Sequence, residues 1–324
     1  AKDAGLTSRE SKRSFCPVSE TPQPHSDGPV AAIVVTYESE SVIERCLAAL
    51  RAAAPCRGIA IRVVDNASTD ASAALAERAL GAGAVSRLAR NGGFAAGVNA
   101  GLQGVDAPWV AVLNPDTIVP AGALDRLADV LERHPRGGLV GPRVRDPRGR
   151  PERSVGLFPT MSRELVHAWL LDHLGWEGRW APFPRATAAV DWVSGCAWLL
   201  RAEAVRKVGP LDEEYFMYVE DVDYCRRLHD AGWTVLATPE VEVVHALGVG
   251  SDATDLIPAD GGAALVRYYA KFHPEVPPER IRTLLARGWR LRRAWRRVRA
   301  GLGDRKSAAV ARRYELALEA IARP

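Results

Sequence analysis

The acidic and amide side chains of this 324-residue chain gather in a few short polar segments. Thr36-Tyr37-Glu38, Asp65-Asn66-Ala67-Ser68-Thr69-Asp70, Arg90-Asn91-Gly92-Gly93 and Asn114-Pro115-Asp116 each follow an apolar run, and Glu220-Asp221 follows the aromatic stretch Tyr215-Phe216-Met217-Tyr218-Val219. Carboxylates so placed can accept hydrogen bonds from a base N–H or a sugar hydroxyl, hold a divalent cation against phosphate, or take a proton from a reacting hydroxyl. Structural readings stand beside these. Asp65 and Asp70 suit helix capping, Asn-Pro-Asp is an ordinary turn signal, and Glu-Asp-Val-Asp at 220–223 suits a helix start. No G-x-G-x-x-G or G-x-x-x-x-G-K-[ST] follows the first apolar run, which argues against nicotinamide-dependent hydride transfer and P-loop NTP hydrolysis.

The elements that must position these segments alternate. Val30 to Thr36 is a continuous apolar run, as expected of a strand buried on both faces. Val42, Ile43, Cys46, Leu47 and Leu50 then recur at helical spacing. The unit repeats as strand 59–64, helix 71–80, strand 85–88, helix 94–102, strand 109–113 and helix 121–132, which predicts an α/β chain with a mostly parallel sheet. Ligands of such sheets bind beyond the carboxyl ends of the strands, where the polar segments lie. Past residue 137 the expectation is short strands and turns to 156, a helix over 161–174, a strand over 190–201, edge strands over 234–237 and 241–245, and mostly helix from 261 onward.

Composition sets bounds. With 47% hydrophobic and 25% charged residues the chain is globular, and it contains no run of about 18 uncharged apolar residues that would span a bilayer. Five cysteines (Cys16, Cys46, Cys56, Cys196, Cys225) without a C-x-x-C pair predict reduced thiols and a cytoplasmic setting. Residues 1–28 read as a disordered extension. The net charge of +4 hides a division, because residues 280–324 carry 14 Lys+Arg against 3 Asp+Glu. Arg280 to Arg299 holds nine arginines and no acid, with Ile281, Leu284, Leu285, Leu291, Trp295 and Val298 near one stripe. That pattern predicts a helix lying on an anionic membrane surface. A stripe packed on the catalytic body or a second subunit is the alternative, so a homo-oligomer through these helices stays open, and nucleic acid is not expected because no recognition motif accompanies the charge.

Taken in order, the motifs resemble the family 2 glycosyltransferases of GT-A fold, a Rossmann-like, mostly parallel sheet flanked by helices. The resemblance rests on Thr36-Tyr37-Glu38, Val64 to Asp70, Asn91-Gly-Gly-Phe-Ala-Ala-Gly-Val-Asn99-Ala-Gly101, Asn114-Pro115-Asp116 and Glu220-Asp221. It covers residues 29–250 as the catalytic domain, leaving 251–324 as a basic helical extension. Trp192-Val193-Ser194-Gly195 and Tyr215 to Asp223 look most like rhamnosyltransferases that extend polyprenyl-diphosphate-linked sugars in wall synthesis.

The resemblance implies roles. Thr36, Tyr37, Glu38, Asp65, Asn66, Arg90, Asn91, Gly93, Asn114 and Asp116 would bind the donor nucleotide. Asp116, as the last acid of an Asp-x-Asp motif whose first acid is here Asn114, would hold Mg²⁺ or Mn²⁺ with His245. Asp221 would be the general base, with Glu220 supporting it; Trp192, Ser194 and Gly195 would line the acceptor. Gly92, Gly93 and Gly97 offer free helix-start N–H groups or close packing, and Asn99 a buried hydrogen bond supporting the site loop. A helix start is expected to lower the Asp221 pKa. The implied reaction is inverting transfer of L-rhamnose from dTDP-L-rhamnose to a lipid-linked or polysaccharide acceptor, at the inner face of the membrane, in surface glycan synthesis. A UDP-hexose donor and a catalytically weak sugar-nucleotide-binding scaffold are the alternatives.

Overall fold

A computed structural model describes residues 28–169, 180–246 and 259–322, so all but the last residue of the expected N-terminal extension lies outside the described residues. Strand β1 (Val30–Thr36) is wholly buried because it runs between parallel β2 (Ile59–Asp65) and parallel β4 (Trp109–Leu113). Alternate residues feed two apolar layers. Val30, Ala32 and Val34 join helices α1 (Ile43–Leu50) and α4 (Ala123–Arg133) on one face, while Ile33 and Val35 face α3 (Gly93–Leu102) on the other. Gly97 and Gly101, one turn apart on α3, let that helix lie directly on β1: a Cβ at either would sit 2.4 Å from Val35 Cγ1 or Ile33 Cγ2.

Among the described residues the main sheet has nine strands in the order β3-β2-β1-β4-β10-β6-β11-β5, with β8 (Ala188–Ala189) paired to β11. β3 (Val85–Arg87) completes a parallel half. The other half is mixed, with β10 (Ala197–Arg201) antiparallel to both β4 and β6 (Gly137–Arg145), a nine-residue strand where short strands were expected. The strand expected over 190–201 is broken in two. β9 (Trp192–Val193) leaves to pair with β7 (Val155–Gly156), and Ser194-Gly195-Cys196 forms the break, the Gly195 N–H donating to Asp221 rather than to a strand. The two edge strands expected over 234–245 are one interior strand, β11 (Thr234–His245), between β6 and β5 (Thr117–Ile118). Pro239, which has no N–H for a ladder, falls in its register shift between Thr238 and Glu242.

Helix α5 (Met161–Ala168) covers the first part of the helix expected over 161–174; residues 170–174 lie outside the described residues. Helix α7 (Glu220–Asp230) starts after Tyr218 and Val219, both at φ +71. Helices α8 (Ala259–Phe272), α9 (Pro278–Gly301) and α10 (Arg305–Ala322) form the C-terminal region. Their Tyr268, Tyr269, Trp289, Tyr314 and Ile321 belong to the same core as the α3 face of the sheet. Asp223, fully buried on α7, takes Arg227 Nε at 2.8 Å and Lys271 Nζ of α8 at 2.6 Å, so an ion pair as well as apolar packing joins this region to the catalytic helix. Cys46, Cys196 and Cys225 are buried free thiols; Cys56 is disulfide-bonded, so the all-thiol expectation fails there.

Candidate functional site

The parallel register sets Thr36 beside Asp65 at the ends of β1 and β2. Asp65 is buried; its Oδ2 accepts the Ser68 N–H at 3.2 Å, a turn-capping bond, while Oδ1 is buried with no partner. A buried acceptor left empty asks for a donor from a ligand. Thr36 Oγ1 beside it is likewise buried and unpartnered. Tyr37 is exposed. Glu38, at φ +48, turns back onto the next loop, where Oε1 accepts the N–H and Oγ1–H of Thr69 at 2.8 and 2.9 Å. Its carboxylate thus holds two strand-end loops together.

The Asn-Gly-Gly turn departs from expectation. Asn66 is consumed by it, with Oδ1 accepting the Gly92 N–H at 3.0 Å and Nδ2 donating to Gly93 O at 2.9 Å. Asn91 Oδ1 accepts the Gly93 N–H at 2.9 Å and Phe216 O accepts the Phe94 N–H at 3.2 Å. The amides of 92, 93 and 94 are therefore taken, not free for an anion. Gly93, at φ +84, is demanded by close approach: a Cβ there would lie 2.0 Å from Phe216 O. The turn serves to carry the aromatic loop that leads into α7. Asn99 supports the same loop, exchanging bonds of 2.8 and 2.9 Å with the N–H and C=O of Leu211, as expected. Arg90 is exposed and has no ion-pair partner among the described residues.

Antiparallel pairing of Thr117 with His245 carries the acid after β4 to the end of β11. Asp116 Oδ1 stands 3.2 Å from His245 Nε2, and Asn114 Nδ2 lies 3.4 Å from the same nitrogen. Glu152, from the segment between β6 and β7, faces the other ring nitrogen, Nδ1, at 3.2 Å. Although burial opposes it, hydrogen bonds to Asp116 and Glu152 raise the His245 pKa to about 9. Glu152 escaped the sequence reading because nothing in its spacing relates it to Asp116 or His245. Among the described residues no three His, Cys, Asp or Glu form a group able to hold a metal by themselves. Asp116 and, once it has given up its proton, His245 would offer a divalent ion one carboxylate and one imidazole ligand, the rest coming from water and phosphate.

The general-base candidate lies next to this pair. Cys196 O accepts the Asn114 N–H and the Thr117 Oγ1–H, each at 3.0 Å, while the N–H of adjacent Gly195 donates to Asp221 Oδ2 at 3.2 Å. The Cys196 thiol is pushed up to about 12, first by burial and then by the charges of Asp116, Glu152 and Asp221. Asp221 Oδ1 also accepts the Val222 N–H at 2.8 Å. Its pKa is raised to about 6 rather than lowered, because burial outweighs these N–H bonds and the helix start. Glu220 is buried, with Oε2 unpartnered, and burial plus the neighbouring Asp221 charge hold its pKa well above the usual range. Burial thus opposes the charged form of both acids, and of Glu220 the more so because Asp221 stands beside it.

Ser194 donates its N–H to Ser154 O at 2.9 Å. Trp192 is buried and its indole N–H is spent on Leu157 O at 3.1 Å, so it presents no open face to an acceptor sugar. Trp180, 5.0 Å from it between ring centroids, is 41% exposed and has that face.

A family model, Glycosyl transferase family 2, matches residues 31–184. N-acetylglucosaminyl-diphospho-decaprenol L-rhamnosyltransferase of Mycobacterium tuberculosis is 37% identical over 237 residues, covering 66% of this chain and 74% of that protein. Rhamnosyltransferase WbbL of Escherichia coli is 39% identical over 56 residues, 17% of this chain and 21% of that one. Among solved structures, S. aureus TarS aligns with a TM-score of 0.51 at 16% identity over 80% of this chain and 42% of its own. GalNAc-T7, solved with UDP, GalNAc and Mn²⁺, aligns at 0.54 and 14% identity, over 75% of this chain and 47% of its own. This chain spans less than half of either, and the likeness carries the GT-A-like fold alone.

Proposed function

Since the chain belongs to glycosyl transferase family 2, we propose that it transfers L-rhamnose from dTDP-L-rhamnose, with inversion, to a hydroxyl of a polyprenyl-diphosphate-linked sugar. The observation that carries this reading is the neighbourhood of Asp221, a base poised near neutrality, and the Asp116–His245 pair, joined through Gly195 and Cys196. The name of the mycobacterial relative supports L-rhamnose as the transferred sugar and a polyprenyl-diphosphate-linked sugar as acceptor.

In the proposed reaction the acceptor oxygen attacks the anomeric carbon in line with the departing diphosphate. Its proton passes to Asp221 Oδ2 or Oδ1, the new C–O bond forms, and the bond to the diphosphate breaks with its electron pair leaving on phosphate oxygen. Burial and the Asp221 charge both oppose ionisation of Glu220, which borders the base without competing strongly for its proton-accepting role. Asp65 Oδ1 and Thr36 Oγ1, buried and without a partner among the described residues, would take the nucleoside's hydrogen bonds, and exposed Arg90, without an ion-pair partner among the described residues, would face the diphosphate. Mg²⁺ or Mn²⁺ held by Asp116 and His245 would supply charge neutralisation of the leaving diphosphate.

Calorimetry with dTDP, UDP and GDP, and with dTDP-rhamnose, tests the reading. Tightest binding of the thymidine ligands is expected. A UDP preference would move the donor to a hexose, and no nucleotide binding by folded protein would overturn the assignment.

A further inference from the structure

The apolar stripe of residues 280–299 divides in the structure. Ile281, Leu284, Leu285 and Trp289 turn inward, whereas Leu291, Trp295, Val298 and Leu302, spaced four, three and four residues apart, stay exposed, Trp295 by 56% and Leu302 by 83%. Helix α5 packs against α9 and brings a second ridge: Leu165 and Trp169, also four apart, are exposed, Trp169 by 58%. Leu165 adjoins buried Glu164 and Leu291 adjoins buried Arg292, so each ridge borders a side chain withdrawn into the protein. The surroundings are strongly basic. α9 carries nine arginines and one acid, Glu279; Arg287 and Arg290 are exposed without an ion-pair partner among the described residues. Arg293 and Arg297 share Glu315 of α10.

We infer that α5 and α9 together form a face that docks on an anionic lipid bilayer, with Leu165, Trp169, Leu291, Trp295, Val298 and Leu302 entering the headgroup boundary. Indole rings with an apolar body and a polar N–H suit that boundary, and unpaired arginines beside them meet anionic headgroups. The charge decides between occupants, because a second copy would present the same basic face and repel it. Docking is interfacial: no helix among the described residues is long and apolar enough to cross a membrane. The inference does not depend on which donor or acceptor the enzyme uses, and the α5 ridge makes it a two-helix face rather than one basic helix.

The full chain is sedimented with vesicles of phosphatidylcholine alone and with about 30 mol% phosphatidylglycerol, without donor or acceptor. Binding to the anionic vesicles is expected. The double variant Trp169→Glu/Trp295→Glu should lower partitioning about tenfold or more, and the charge-neutralising Arg287→Gln/Arg290→Gln about twenty-fivefold on anionic vesicles, from about fivefold per arginine. Leu316→Glu, at an exposed residue of α10, should leave binding unchanged. Thermal unfolding checks that each variant is folded. Absence of anionic-vesicle binding, an equal loss from Leu316→Glu, or a dimer in light scattering that the tryptophan variant dissociates without any vesicle binding would overturn the inference.

Discussion

Asp221 makes the pH dependence of transfer a sharp test. An ordinary aspartate with a pKa of 3.8 is almost fully ionised at both pH 5 and pH 7, so a base of that kind gives a flat profile. Burial raises Asp221 to about 6. The ionised fraction is then about 0.9 at pH 7 and about 0.1 at pH 5, so kcat/KM should fall about tenfold between them, with unit slope below the inflection. The assay is initial-rate transfer from dTDP-rhamnose to a short-chain lipid-diphosphate acceptor from pH 4.5 to 8.5. Folding should show the same cause with the opposite benefit. A carboxyl raised from 3.8 to about 6 is stabilising to leave protonated, so its ionisation costs about 3 kcal/mol of stability above pH 6, a cost that shrinks through the window and vanishes below pH 3.8. Asp221→Asn should therefore unfold at a higher temperature than the parent at pH 8 and lose that advantage by pH 4. An activity profile flat from pH 5 to 7, or inflecting near 4, would exclude a buried Asp221 with a raised pKa as the base.

Other outcomes follow from the same geometry. Glu220→Gln removes an acid whose ionisation burial already opposes and should retain activity within about fivefold; a loss as deep as that of Asp221→Asn, read in the same assay, would give the proton to Glu220 instead. Glu152→Gln weakens the bond that orients His245 and should reduce Mn²⁺ affinity about tenfold to a hundredfold, measured by electron paramagnetic resonance with dTDP present. Gly97→Ala drives a Cβ into Val35 and should cost about 1–3 kcal/mol in urea unfolding, while nucleotide affinity of the folded protein is unchanged.

The alternation of apolar runs and helical stripes up to residue 132 is legible because β1 and β4 are buried on both faces and each helix packs locally. The regions beyond were less so. β10 is antiparallel and β11 is interior because of pairings with β4, β6 and β5 that no local pattern encodes. Of the site, the strand-end carboxylates and Glu220-Asp221 follow from type and position. The division of labour among them does not: the turn at Gly92-Gly93 takes both amide atoms of Asn66 and the Oδ1 of Asn91, and Trp192 is covered while Trp180 is exposed. The direction of the Asp221 pKa was misjudged for a physical reason, since a helix start is visible in sequence and desolvation is not. Glu152 was missed because β6, β11 and β5 must pair before it meets His245.

The most direct test of the central claim measures one variant twice: Asp221→Asn, for turnover at pH 8 and for dTDP-rhamnose affinity by calorimetry. Turnover lower by at least about a hundredfold, with affinity within about threefold of the parent, is what a general base predicts. Turnover close to that of the parent, or lost donor binding in a folded protein, would contradict it.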